Sequence, residues 1–209
     1  MATLPTHTFP LNSLSELELH HVQAQLVTYR QQQAVRLVEQ GEPTAGDPTI
    51  AILSDSDFAD GVIEAQIAGV RRKDAPPDMR GFVGLAFHVQ PGGARFECFF
   101  VRPTNGRAND QLRRNHSTQY ISYPDFPWYR LRAEAPGVYE SYTDLVPGAW
   151  TPIKIVVSGI QAQLYVGNAE QPCLVVNDLK LGKSPGQLAL WIGSGSEAYF
   201  SKIVVKKTI

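Results

Sequence analysis

The 209-residue sequence predicts an all-β fold in which two antiparallel sheets pack face to face as a sandwich. Three observations predict it. Apolar and polar residues alternate with period two along many short segments, β-branched residues are frequent in them, and Gly, Asn or Pro interrupts them regularly. We interpret residues 1–209 as a single domain, because no linker or internal repeat divides the chain and sandwiches of this length often form one unit.

Residues 13–40 are compatible with a helix or with strands. They contain no Gly or Pro and many good helix formers. However, apolar residues recur at spacing two, and Tyr, Thr and Val favour β-structure. We therefore expect strands, on the basis of the pairs Leu17/Leu19, Ala24/Leu26 and Val35/Leu37.

The middle of the chain predicts strands over Val62–Ile67, Phe82–Val89 and Arg95–Arg102, with a turn at residues 91–93. In the second of these, alternate apolar residues are expected to face the core: Val83, Leu85, Phe87 and Val89.

The last third of the chain shows the clearest alternation. It predicts five further strands, over Trp150–Ser158, Gln161–Val166, Cys173–Val176, Gln187–Ile192 and Ala198–Lys206.

Composition excludes several classes of function. The net charge of −1 gives no overall field for nucleic acid or an anionic membrane, and no apolar run approaches the length of a membrane helix. Met1–Pro10 lacks the basic and apolar parts of a secretory signal, so we expect a cytoplasmic protein, or an exported one whose leader preceded this numbering.

The two cysteines, Cys98 and Cys173, lack metal-ligand spacing, and free thiols are favoured over a disulfide.

A set of segments, taken in order, resembles the concanavalin A-like lectin/glucanase superfamily, nearest to bacterial domains described as 3-keto-disaccharide hydrolases. The segments lie between Asp57 and Lys206, at residues 60–64, 81–87, 95–100, 150–157, 162–167 and 186–193. The resemblance implies a jelly-roll sandwich whose concave sheet holds a saccharide. Calcium is frequent among relatives, but no acidic cluster demands it, and we expect no cofactor and no metal site. The Glu-x-Asp-x-(x)-Glu motif of the laminarinases is absent, so a retaining glucanase of that type is not expected.

Residues 103–147 interrupt the alternation and form a long polar and aromatic excursion, and long loops in compact domains are more often functional than idle. The segment from Arg95 to Arg132 contains seven arginines and only three acidic residues. Guanidinium donors and flat aromatic faces suit a saccharide or a related polar ring. Equally, the arginines can pair with Glu134, Glu140 and Asp144 and fix the excursion to the sandwich.

Eight residues are candidates for ligand contact: His88, Arg102, Asn105, Arg107, Gln119, Tyr120, Trp128 and Arg130. For Asn105 the competing interpretation is a tight Asn-Gly turn with positive φ. Trp191 is a candidate for sugar stacking or, more often for a large aromatic, for core packing.

Glu97, Glu140 and His116 are the catalytic candidates. Glu97 lies in mid-strand, where a charge is costly unless it faces a groove or has a partner. If Gly84, Ala86 and His88 face the concave side, Glu97 lies near His88; otherwise it is an edge residue in water or in an ion pair. Glu140, or Asp144, would supply the second carboxylate of a glycosidase. His116 has a suitable pKa, but a lone His among arginines is more often a surface residue.

We therefore hypothesise a carbohydrate-active protein, which as an enzyme would be a glycoside hydrolase acting on a glycoside or keto-glycoside in the concave-sheet cleft. The alternatives are a non-catalytic saccharide-binding module and a protein-interaction domain. Neither nucleic acid nor a membrane is an expected partner, and the oligomeric state is open.

Overall fold

The computed structural model describes residues 6–41 and 47–208 and confirms the two-sheet antiparallel sandwich. In chain order its strands are β1 Thr6–Phe9, β2 Leu17–His20, β3 Val22–Tyr29, β4 Gln32–Glu39, β5 Ile50–Leu53, β6 Gly61–Arg71, β7 Val83–Val89, β8 Phe96–Val101, β9 Thr118–Tyr123, β10 Glu140–Ser141, β11 Thr151–Ser158, β12 Gln161–Val166, β13 Leu174–Val176, β14 Gln187–Ile192 and β15 Ser196–Lys207. Two short helices are α1, Gln111–Asn115, and α2, Trp128–Glu134.

The first sheet has the order β13-β12-β11-β6-β15-β4-β3, with β1 paired to β15, and the second has the order β10-β9-β8-β7-β14-β5-β2. The ambiguous segment 13–40 forms β2, β3 and β4, as its spacing-two pattern predicts. None of the helices in the described residues has the length and apolar character that a membrane span requires.

The two sheets differ in how their faces are covered. In β11, Ile153, Ile155 and Val157 are buried, whereas Lys154 and Val156 on the other face are half-buried. In β7 all seven residues are buried, including the four expected in the core. The second sheet is therefore covered on both faces along its strands β7, β8 and β9, whereas β11 of the first sheet leaves one face partly open to solvent.

Strand register decides which side chains of the second sheet face the first. An added Cβ at Gly69 of β6 would lie 2.7 Å from Cγ1 of Val83, so Val83 points between the sheets. Side chains alternate along a strand, which places Gly84 on the opposite side, called here the outward face. Residues paired across the sheet share that face: Gly84, Phe100, Gln119, Glu140 and Trp191.

The excursion at 103–147 is more regular than a loop. It contains α1, α2 and a 3₁₀ turn at Pro103–Asn105, and it supplies β9 and β10 at one side of the second sheet. Leu131 of α2 is 1% exposed and anchors this segment to the core. The alternation is weak here because β9 is covered on both faces, so polar and apolar residues need not alternate.

The predicted pairing of the excursion's arginines with its acids is present. Arg107 pairs with Asp144, and Arg130 pairs with Glu134. Arg132 pairs with Glu140. Cys98 and Cys173 are both free thiols.

The expected positive φ at Asn105-Gly106 is wrong, because Asn105 ends a 3₁₀ turn and Gly106 has φ −55°. Glycine is required for a different reason. A Cβ at position 106 would lie 2.7 Å from Cβ of Leu145, a buried residue at the far end of the excursion. The missing side chain allows the two ends of the excursion to touch.

We expect Gly106→Ala to destabilise the protein by about 1–3 kcal/mol, because the added methyl group overpacks this contact. Urea unfolding measures the change. Asn109→Ala, an exposed position in the same connection, is the control and should change stability by less than about 0.5 kcal/mol. Equal stability of the two variants would show that the approach to Leu145 is not tight.

Candidate functional site

Stacked aromatic and guanidinium groups cross the outward face of the second sheet. The ring of Trp191 stacks on Phe100, with centroids 4.6 Å apart. The guanidinium carbon of Arg102 lies 4.9 Å from the Phe100 centroid and 5.9 Å from that of Trp128, and that of Arg132 lies 4.7 Å from Trp128. These five residues, Trp191, Phe100, Arg102, Trp128 and Arg132, are called the arginine–aromatic row. Cation–π attraction stabilises such contacts.

The row ends at a cleft of about 690 Å³ between α1, the end of α2 and β10. Arg132 donates hydrogen bonds of 3.0 and 2.6 Å to the two carboxylate oxygens of Glu140. Oε1 of Glu140 also lies 3.2 Å from Nε2 of His116. All three side chains line the cleft, and Tyr142, 40% exposed, forms part of its wall. Two of the catalytic candidates, Glu140 and His116, are therefore brought together.

Buried polar side chains fix the backbone of His116 by hydrogen bonds. Arg102 Nη1 and Asn105 Nδ2 both donate to the carbonyl oxygen of His116, at 3.0 and 3.1 Å. Arg102 Nη2 also donates to Oε1 of Gln119, at 3.2 Å. Arg102, Asn105 and Gln119 are 5%, 3% and 1% exposed. These predicted ligand contacts therefore support the cleft, since they expose little surface to a ligand.

Burial, aided by two arginines, favours the neutral form of the His116 imidazole. Burial lowers the pKa of His116, the adjacent carboxylate of Glu140 opposes this, and the positive charges of Arg132 and Arg102 add to it. Burial also lowers the pKa of Arg102 to about 9, with a contribution from the charge of Arg132. A neutral imidazole next to a carboxylate is able to accept a proton.

Glu97 lies on the other side of the sheet, and the expectation that it shares a groove with His88 is wrong. It pairs with Phe87, so it points between the sheets, where it is fully buried. Its carboxylate accepts from the hydroxyl of Tyr120 at 2.6 Å and from the backbone N–H of Leu181 at 2.7 Å. Burial raises the pKa of Glu97. Glu97 and Tyr120 thus fix the residues after β13 to the second sheet.

His88 is also internal, which corrects its expected role as a ligand contact. It has φ +54° beside a β-bulge and is 1% exposed. Its ring packs on Phe58 and Phe87, and Nε2 donates to the carbonyl of Ala59 at 2.8 Å. Its Nδ1 is buried without a hydrogen-bond partner in the described part of the chain.

The remaining candidates are exposed. Trp128 belongs to the arginine–aromatic row and is 43% exposed, so its ring is accessible for stacking on a ligand. Arg107 is held by two hydrogen bonds to the exposed Asp144, and Arg130 lies over the ring of Phe126. Sequence reasoning did not single out Arg132, although its spacing of four from Trp128 places both on one face if the segment is helical.

No protein-family model matches the sequence, and no curated protein matches it. Solved structures share its fold. The carbohydrate-binding module CBM66 from Bacillus subtilis covers 88% of this chain and 96% of its own at a TM-score of 0.55 and 13% identity. A Bacillus subtilis protein of unknown function with a galectin-like fold covers 96% and 94% (TM-score 0.62, 10% identity). Bacillus licheniformis β-glucanase covers 97% and 98% (TM-score 0.53, 12% identity). The fold is thus the jelly-roll sandwich of lectins and glucanases.

We expect acid to destabilise the fold through His88. Burial lowers its pKa from 6.5, so below that pH the unfolded chain takes up a proton that the folded chain resists. The contribution of neutral His88 to the free energy of unfolding is therefore fully present above pH 6.5. It is lost as the pH falls toward the pKa of His88 in the folded protein, by up to about 1.4 kcal/mol per pH unit.

Urea unfolding of the wild type and His88→Asn between about pH 7.5 and 5.5 measures this effect. The stability difference between the two proteins should shrink as the pH falls. A difference that stays constant would contradict the expectation, and His7→Asn, at an exposed histidine, controls for loss of a titrating group.

Proposed function

We propose that this chain binds a saccharide on the outward face of its second sheet, along the arginine–aromatic row and its cleft. The observation that carries the proposal is the position of Trp128, which is 43% exposed and lies within 6 Å of two guanidinium groups. A flat indole covers the apolar C–H face of a sugar ring, and guanidinium N–H groups donate to its hydroxyls.

Aromatic surface extends along the site in both directions. Phe82 and Trp191 are half-buried on one side of Trp128. On the other side, Tyr142 is held at the cleft by Arg114, whose Nη2 donates to the phenol oxygen at 2.8 Å. The likeness to a carbohydrate-binding module and a β-glucanase supports the proposal at the level of the fold. A shared fold does not by itself assign a function, so the proposal depends on the site.

The positions of the carboxylates Glu97, Glu140 and Asp144 favour saccharide binding over glycoside hydrolysis by a pair of acids. Such hydrolysis needs two carboxyl groups that flank the scissile bond. Glu140 lines the cleft, but Arg132 occupies both of its oxygens. Glu97 lies on the opposite face, and Asp144 is engaged by Arg107.

We expect Trp128→Ala to weaken saccharide binding about tenfold or more, a loss of about 1.4 kcal/mol. A glycan array first identifies a bound saccharide, and titration calorimetry then compares the variants. Tyr129→Ala is the matched control, since Tyr129 is the neighbouring aromatic of α2 and is 58% exposed. An array without a bound glycan, or equal effects of the two variants, would contradict the proposal.

The contact between His116 and Glu140 favours a second candidate, cleavage of a 3-keto-glycoside by elimination. The ketone acidifies the adjacent C–H. Neutral His116 would accept that proton, the C–H electrons would form a C=C bond, and the glycosidic C–O bond would break. The resulting imidazolium, stabilised by Glu140, would return the proton to the departing oxygen. This chemistry needs one base and no second carboxylate.

We expect His116→Gln to lower turnover of a 3-keto-glycoside about 10²-fold or more, with saccharide affinity changed little. Release of p-nitrophenol from a p-nitrophenyl 3-keto-glucoside measures the rate. His7→Gln, at an exposed histidine that does not line this cleft, is the control. Equal rates for the wild type and His116→Gln would exclude this candidate and leave saccharide binding as the function.

A further inference from the structure

We infer that the saccharide is acidic, and that its carboxylate is bound at a cluster of three arginines: the half-buried Arg80 and Arg113 contact it, and the buried Arg102 beside them adds its positive charge. This inference rests on the proposed saccharide site and names the class of its ligand.

The three arginines are brought together by the 3₁₀ turn at residues 103–105. Arg102 directly precedes the turn. The carbonyl of Arg80 accepts from the backbone N–H and the hydroxyl of Thr104, both at 3.4 Å. Arg113 Nη2 donates to the carbonyl of the same Thr104, at 3.4 Å. One residue of the turn thus contacts both Arg80 and Arg113.

The cluster is not neutralised by ion pairs among the described residues, although Asp78 near Arg80 and Glu140 near Arg102 partly offset its charge. None of the three arginines forms an ion pair among the described residues, in contrast to Arg107, Arg130 and Arg132. Their side-chain acceptors are all neutral. Arg80 donates to the carbonyl of Pro77, Arg102 to that of His116 and to the amide oxygen of Gln119, and Arg113 to that of Thr104.

Two further observations show that the charge is unsatisfied. Nε of Arg113 is buried and has no hydrogen-bond partner in the part of the chain that the structure describes. Burial lowers the pKa of both Arg80 and Arg102, and in each case the charge of another arginine adds to the effect, while a carboxylate, Asp78 for Arg80 and Glu140 for Arg102, opposes it. A buried charge without a partner is costly. An anion bound here would therefore form stronger hydrogen bonds with the guanidinium groups than it would with solvent-exposed ones.

The surroundings match a sugar that bears the anion. The guanidinium of Arg102 lies 5.9 Å from the ring centroids of both Phe82 and Trp128. Arg80 and Arg113 are half-buried, so the cluster meets solvent on their side. A ring on Trp128 or Phe82 would therefore hold a substituent next to the arginines. A planar carboxylate fits the fork of a guanidinium with two parallel hydrogen bonds.

The test compares each acidic saccharide with its own neutral form. Titration calorimetry gives the affinity for oligogalacturonate, oligomannuronate and hyaluronan oligosaccharides, and for the carboxyl-reduced derivative of each. We expect at least one acidic form to bind about tenfold or more tightly than its reduced form, with an advantage that falls as salt is raised. Chondroitin sulfate whose carboxyls are reduced tests a sulfate as the anion instead.

Arg80→Gln should weaken binding of the acidic form about fivefold or more and change binding of the reduced form less than about twofold. Arg113→Gln should act in the same way, which guards against failure of one variant to fold. Arg30→Gln removes the same charge at an exposed position between β3 and β4 and should have no effect.

The outcomes separate the two proposals. Equal binding of acidic and reduced forms would overturn the carboxylate inference and leave saccharide binding intact. Binding of the sulfated, carboxyl-reduced polymer alone would also overturn it. If no saccharide binds, both proposals fail.

Discussion

The buried guanidinium of Arg102 is the interaction on which the outward face of the second sheet depends. It lies over Phe100 at the end of β8, donates to the carbonyl of His116, and donates to Gln119 on β9. One side chain therefore joins a strand end, the segment after α1 and the neighbouring strand. Because the guanidinium is rigid and planar, these contacts fix the position of His116 and of Trp128 together.

The register of the second sheet then decides which polar residues meet at a surface. Side chains alternate across the sheet, so neighbouring residues of one strand have opposite environments. Gln119 faces outward and supports the cleft, whereas Tyr120 faces inward and bonds to Glu97. The same strand thus carries one residue of the candidate site and one residue of the core.

The distribution of charge differs between the two arginines that flank Trp128. On one side Arg132 is neutralised by Glu140 beside His116. On the other side Arg102 donates to neutral acceptors, with Arg80 and Arg113 nearby. A paired charge and an unpaired charge on either side of Trp128 give the face two chemical characters, and a ligand with one ionised substituent would bind in one direction only.

The sequence alone determined the sandwich, because period-two alternation and regular turn residues are local signals. It also placed the candidate residues in 103–147, since an excess of arginine and aromatic residues shows in composition. The candidates Glu140 and His116 lie together at one cleft, but the elements that bring them together, α1 and β10, are too short to show periodicity.

Only the tertiary structure decided which side of the second sheet each residue faces. In its strands β7, β8 and β9 the side chains of both faces are buried, so their pattern does not show which face carries the site. For this reason Glu97 and His88 looked like site residues and lie inside, and Arg132, Arg80 and Arg113 were not selected. The pairing of arginines with carboxylates is set by contacts between residues distant in sequence, and it decides where a charge is left for a ligand.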